Sequence, residues 1–159
     1  MHGGVDEIPL PEGPGRLWLC GKHFVGPDPE RALDSTGATA IVCLTERAEL
    51  VPRYTAYVAW LNLHQPARAV WHPIPDLEAP TVAAAAALLA DLRSRLARGD
   101  GLLVHCGAGI GRSGTIAAGL LVTMGTRLTP ALATVAAHRP MAGPEVGAQA
   151  ELLSALARA

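Results

Sequence analysis

The chain has 159 residues, 50% of them hydrophobic, and a net charge of −1. That length suits one domain whose core buries roughly 70% of the surface the unfolded chain exposes, and the composition lies outside the disordered range. Near-neutral charge without a basic run excludes binding driven by neutralisation of a nucleic-acid backbone, but leaves room for one compact anion site.

Residues 1–15 are rich in Gly and Pro and read as a flexible N-terminal tail, with 16–159 as a single domain. The tail carries Asp6 and Glu7 and no apolar core, so it reads as neither signal nor transit peptide. Leu17 to Cys20 is a short apolar strand. Asp28 caps a helix that has Pro29 at its first position and Gly37 just past its end. Ala40 to Thr45 is a continuous apolar run and so a buried strand. Tyr54, Tyr57, Val58 and Leu61 fall at helical spacing behind Pro52, and Val70 to Ile74 is the next strand. Pro80 to Arg98 is a long Ala- and Leu-rich helix, with Arg93, Arg95 and Arg98 near its negative end. Gly99 to Gly101 turns the chain into the buried strand Leu102 to His105. Helices follow from Arg112 to Met124, from Thr129 and Pro130 to about His138, and from Gly143 and Pro144 to the C-terminus. The apolar stretch Leu102 to Met124 is interrupted by His105, Arg112 and several glycines, too soon for a membrane span of about 20 residues. Strands alternating with helices predict an α/β three-layer sandwich around a mostly parallel sheet of four to five strands.

The three cysteines, Cys20, Cys43 and Cys106, are too few and too scattered for a disulfide framework, and no CxxC pair suggests zinc. This points to a reducing compartment and a cytoplasmic location. Cys20 and Cys43 lie in predicted strands, where a free Cys is ordinarily inert packing. Trp18, Trp60 and Trp71 read as packing residues.

The informative segment is His105-Cys106-Gly107-Ala108-Gly109-Ile110-Gly111-Arg112-Ser113-Gly114, between a buried strand and a helix. Its glycines let successive backbone amides point into one concavity, which binds an anion. The following helix adds unpaired N–H groups and partial positive charge. Such a ring suits phosphate and thiolate alike. Arg112 supplies a planar, permanently charged fork for two phosphate oxygens, and Ser113 can hydrogen-bond the Cys106 sulfur. The phosphate-binding set is therefore Gly107, Ala108, Gly109, Ile110, Gly111 and Arg112.

The segment matches the CX5R signature of the protein tyrosine phosphatase superfamily. The resemblance implies attack by Cys106, a phosphocysteine intermediate and hydrolysis by water, with neither metal nor cofactor. It also implies that His105 orients the loop. Such chemistry needs an acid for the leaving oxygen. Asp76, in the proline-stiffened run His72 to Pro80 before the long helix, is similar to the general acid of the small dual-specificity enzymes, with Glu78 as understudy. Cys43 to Leu50 followed by Tyr54, and Gly143 to Leu153, resemble most closely the cyclin-dependent kinase-associated phosphatase and related atypical dual-specificity enzymes. Gln149 falls at a family position, for which the resemblance implies help in placing the hydrolytic water; an exposed helix-surface Gln is the ordinary reading. In some relatives a second cysteine traps the oxidised nucleophile as a disulfide, a part open here to Cys43. His138-Arg139-Pro140 reads as ordinary helix-end chemistry.

The expected substrate is a phosphoprotein or phosphopeptide, with phosphotyrosine preferred. An inositol phosphate or phosphoinositide is the alternative, disfavoured by the uncharged Gly107, Ala108, Ile110 and Gly111. A phosphate-binding module without turnover, a sulfurtransferase and an arsenate reductase explain Cys106, Arg112 and Asp76 together less well. No nucleic-acid or membrane partner is expected, and the chain is expected to be a monomer.

Overall fold

The computed structural model describes residues 4–159. Five strands form one sheet in the order β1-β2-β5-β3-β4, from Val5–Ile8 (β1), Arg16–Gly21 (β2), Ala40–Cys43 (β3), Ala69–Trp71 (β4) and Gly101–Cys106 (β5). All pairings are parallel except β1 with β2. The α/β sandwich expected from the alternating pattern is therefore present. β5 lies between β2 and β3, and all six of its residues are buried, as a central strand's continuous apolar run requires.

Helices cover both faces. Lys22–Val25 (α1), Pro29–Thr36 (α2), Arg47–Leu50 (α3) and Thr55–His64 (α4) bury Val25, Leu33, Leu50, Tyr57 and Leu61 against one face. Val82–Ala97 (α5), Gly111–Thr123 (α6), Leu128–His138 (α7) and Gly147–Arg158 (α8) bury Leu89, Leu92, Ile116, Leu120, Val135 and Leu153 against the other. The expected Asp28 cap is in place, its carboxylate accepting from Arg31 N at 3.1 Å, and Gly37 closes α2 at φ 83°. α5 starts at Val82, later than expected, because Thr81 is its cap. α8 begins at Gly147, not at Gly143, whose φ of 143° cannot open a helix.

The N-terminal stretch departs from the tail that composition predicts. Val5 to Ile8 pair antiparallel with Leu17 to Cys20, and Ile8 is buried. Gly- and Pro-rich flanks hid a strand of four residues that gains its stability from the sheet edge. α1 and α3, each a single turn, were likewise not legible in the periodicity.

α6 is buried from Gly111 to Leu121. Its first turn lies just beyond the carboxyl end of β5, so the helix's positive end meets the place where the central strand stops. Among the described residues no helix is long and apolar enough to cross a membrane.

Candidate active site

β5 ends at Cys106, and residues 107–110 lead directly into α6. Every carbonyl of that loop is held. Gly107 O accepts from Lys22 N at 2.9 Å. Ala108 O and Gly109 O accept from Arg139 at 2.9 and 2.7 Å. Ile110 O accepts from Gly143 N at 3.1 Å and Gly114 N at 3.0 Å. A trans peptide places its N–H opposite its C=O. Carbonyls fixed to the surrounding protein therefore leave the amides of Ala108 to Gly111 facing the loop's interior. No protein acceptor among the described residues takes the amide hydrogens of Gly107 to Ser113, and α6 has no side-chain cap. The result is a ring of donors at a helix N-terminus, which is an anion site.

Arg112 closes the ring. It is 4% exposed and its side chain folds back over the loop, so that a Cβ on Gly107 would stand 3.3 Å from Nη2. Its Nη1 donates to Glu49 Oε2 at 2.8 Å and Ile74 O at 2.7 Å, and Nη2 donates to Glu49 Oε1 at 2.8 Å. Nη2 also lies 3.3 Å from Asp76 Oδ1. The Glu49 carboxylate is partly buried, which works against its charge. Its hydrogen bonds with Arg112 and the Glu46 amide, with the charges of Arg112 and Lys22, prevail and hold its pKa below the ordinary value. Nothing local in the sequence marks Glu49 as the partner of Arg112.

Asp76 lies on the proline-stiffened run between β4 and α5. Its side chain is 68% exposed, and its Oδ1 accepts from Leu77 N at 3.0 Å. Glu78 takes part through its backbone: its amide donates to Pro75 O at 3.0 Å and its carbonyl accepts from Gln149 Nε2 at 3.2 Å. Gln149 is not a helix-surface residue: it is 1% exposed, and its Oε1 accepts from Glu145 N at 2.8 Å. It ties the Asp76 loop to the start of α8. Glu145 itself lies against Gly111, where any Cβ would meet its carboxylate.

His105 is fully buried. Its Nδ1 lies 3.0 Å from Cys106 O, and since a carbonyl only accepts, Nδ1 carries the proton. Nε2 then accepts from the Tyr57 hydroxyl at 2.6 Å. Burial pushes the imidazole's pKa down to about 4, so it is neutral and acts as a fixed strut on the strand end. Ser113 is fully buried in the first turn of α6, yet its Oγ has no hydrogen-bond partner among the described residues, so the expected bond to the Cys106 sulfur is not made.

Cys20 and Cys43 both sit in register with His105 on the strands flanking β5. Their side chains belong to the core beneath α1 to α4, whereas Cys106 faces the core on the other side of the sheet. All three thiols are free, and the pairing of Cys43 with Cys106 has no support, because one residue of strand register places them on opposite faces. Burial pushes the Cys43 thiol up to about 11, in keeping with inert packing. Trp60 and Trp71 pack as expected, their Nε1 groups donating to Glu30 and to Thr45 O. Among the described residues no group of three or more His, Cys, Asp or Glu could hold a metal ion.

A cleft lined by Gly21, His23, Phe24, Gly107 and Ala108 opens beside the loop. Nothing in the sequence marks its wall, because α1 carries no periodic signal. Arg139 is equally unmarked, since its His-Arg-Pro setting reads as a helix end and nothing more.

The family model described as Swiss Army Knife protein, DSP-PTPase phosphatase domain, matches residues 14–153. Tk-PTP in its active form is 29% identical, with a TM-score of 0.70 over 92% of this chain and 93% of its own. The kinase associated phosphatase is 20% identical, with a TM-score of 0.70 over 94% and 90%. Human DUSP28 is 19% identical, with a TM-score of 0.69 over 89% and 88%. At such identities the last two share the fold, and the special closeness expected to the kinase-associated enzyme is not singled out. Among curated proteins none matches the sequence.

Proposed function

Since this chain belongs to the DSP-PTPase phosphatase family, and is thereby a cysteine-based phosphatase of the tyrosine and dual-specificity type, we propose that it hydrolyses phosphotyrosine in proteins, and phosphoserine or phosphothreonine to a lesser degree. The reading is carried by one observation: the loop after Cys106 has all its carbonyls tied outward and its amides unengaged, with Arg112 folded over it.

In this reading the Cys106 sulfur attacks phosphorus in line with the leaving oxygen. The S–P bond forms as the P–O bond breaks, and Asp76 passes its proton to the departing oxygen. The loop amides and Arg112 bind the equatorial oxygens, whose charge they stabilise without reorganising. Water then attacks phosphorus, its proton goes to the Asp76 carboxylate, and the S–P bond breaks to release phosphate and restore the thiolate. His105 fixes the strand end through Cys106 O, and Gln149 steadies the Asp76 loop.

Phe24 and His23 beside the loop suit an aryl ring, which supports the preference for tyrosine. The uncharged loop residues weigh against a polyphosphorylated ligand. The three free cysteines fit a reducing, cytoplasmic setting.

The test is a panel assay of the purified chain on phosphotyrosine peptide, phosphoserine peptide and inositol phosphates, with EDTA and with vanadate. Phosphotyrosine should give the highest kcat/KM, EDTA should change nothing and vanadate should inhibit. Preference for an inositol phosphate, or dependence on a divalent metal, would overturn the reading.

A further inference from the structure

Two of the loop's carbonyls are held by one side chain. Arg139, at the C-terminal end of α7, is 7% exposed. Its Nε and Nη2 take Gly109 O and Ala108 O. Its Nη1 reaches the other way, donating to Gly4 O at 2.7 Å and Asp6 Oδ2 at 2.9 Å, with Leu19 O at 3.4 Å. Asp6 belongs to β1 and pairs in register with Leu19 of β2. One guanidinium thus joins the loop to the edge strand.

The geometry has a direct consequence for the donors. Outward carbonyls at Ala108 and Gly109 turn the amides of Gly109 and Ile110 inward. Arg holds two carbonyls at once because its fork is rigid, where a lysine is a flexible point charge. Gly109 has φ 76°, and a Cβ there would meet Cys20 O and stand 2.8 Å from Arg139 Nη2. The loop, β2 and Arg139 therefore pack without slack. A nearly buried guanidinium needs a counter-charge, which the Asp6 carboxylate, 22% exposed, provides. All three nitrogens of Arg139 are engaged by protein oxygens, so it supports the site from behind and is not itself a second anion subsite.

We propose that Arg139, anchored by Asp6 of β1, is a positioning residue that keeps the Gly109 and Ile110 amides aimed at the oxyanion, making the N-terminal edge strand part of the phosphatase site. The proposal rests on the reading of the loop as the phosphate site given above.

The test uses the full chain with Arg139→Lys and Asp6→Ala. Orthovanadate binding is measured by calorimetry, kcat and KM with p-nitrophenyl phosphate, and melting temperature in parallel. Arg139→Lys should weaken vanadate by about tenfold or more, a fraction of the roughly 10²–10³-fold that a lost oxyanion donor costs. Asp6→Ala should weaken it about fivefold. The double variant should add little to Arg139→Lys, since both act through one contact. A merely structural role would lower the melting temperature and leave vanadate affinity of the folded protein unchanged. Folded variants that bind vanadate within about twofold of wild type overturn the proposal. If Arg139→Lys fails to fold, Asp6→Ala decides alone. A wild type that neither binds vanadate nor turns over substrate overturns the phosphatase reading and this inference with it. A wild type that does both, with unaffected variants, overturns this inference only.

Discussion

Asp76 Oδ1 lies 3.3 Å from Arg112 Nη2, on a guanidinium that is already held at both ends by Glu49. The exposed carboxylate thus takes up donor capacity that an arriving phosphate oxygen would claim. Asp76 sits on a loop and can yield; Glu49, hydrogen-bonded also to Glu46 N, is the fixed partner.

Asp76→Ala should therefore do two things at once. It should lower kcat by about 10²–10⁴-fold, the usual worth of a general acid. It should also tighten vanadate, because an acceptor competing for Arg112 Nη2 has gone. Phenyl phosphate should suffer more than p-nitrophenyl phosphate, whose leaving group needs less protonation. Equal loss on both esters would remove Asp76 from its role.

Cys106→Ser should abolish turnover and leave phosphate bound, since the ring of amides and Arg112 are untouched. Calorimetry on the variant checks this, and measurable steady-state hydrolysis would count against Cys106 as the nucleophile.

Glu49→Gln keeps the shape but weakens the pair that aims Arg112. Charge-assisted hydrogen bonds of this kind contribute about 1.5–3 kcal/mol. We expect kcat/KM to fall by roughly 10–100-fold, with vanadate affinity falling in parallel. Unaltered kinetics would show that Ile74 O and Asp76 suffice to orient the guanidinium.

His105 links stability to pH. Burial lowers its pKa from 6.5 to about 4 in the folded chain. Between these values the unfolded chain binds a proton that the folded chain refuses. Its contribution is complete above pH 6.5 and is lost as pH falls towards 4, about 3 kcal/mol in all. Glu49, held below its ordinary 4.5, adds a further loss only at lower pH. Melting temperatures from pH 7 to 4 should fall for wild type and fall less steeply for His105→Gln.

The residues that announced themselves in sequence were those with local signatures. Cys106, Arg112 and the glycines fall within one short segment, and the buried run at β5 and the Asp28–Gly37 frame of α2 follow from periodicity and capping. What stayed hidden depends on long-range packing. Glu49 meets Arg112 across 63 positions of sequence, and Arg139 meets Asp6 across 133. Gln149 looked like a surface residue because burial comes from a loop 71 positions away. β1 is too short, and too polar on its outer side, to stand out without its neighbour.

The sheet lies between Cys106 and the other two thiols. A sulfenic acid formed on Cys106 by peroxide would therefore find no resolving thiol within the chain. Its rescue must come from a backbone nitrogen, by cyclisation to a sulfenamide, or from a small thiol such as glutathione entering by the substrate's own route. Recovery after an oxidative pulse would then track the surrounding thiol pool.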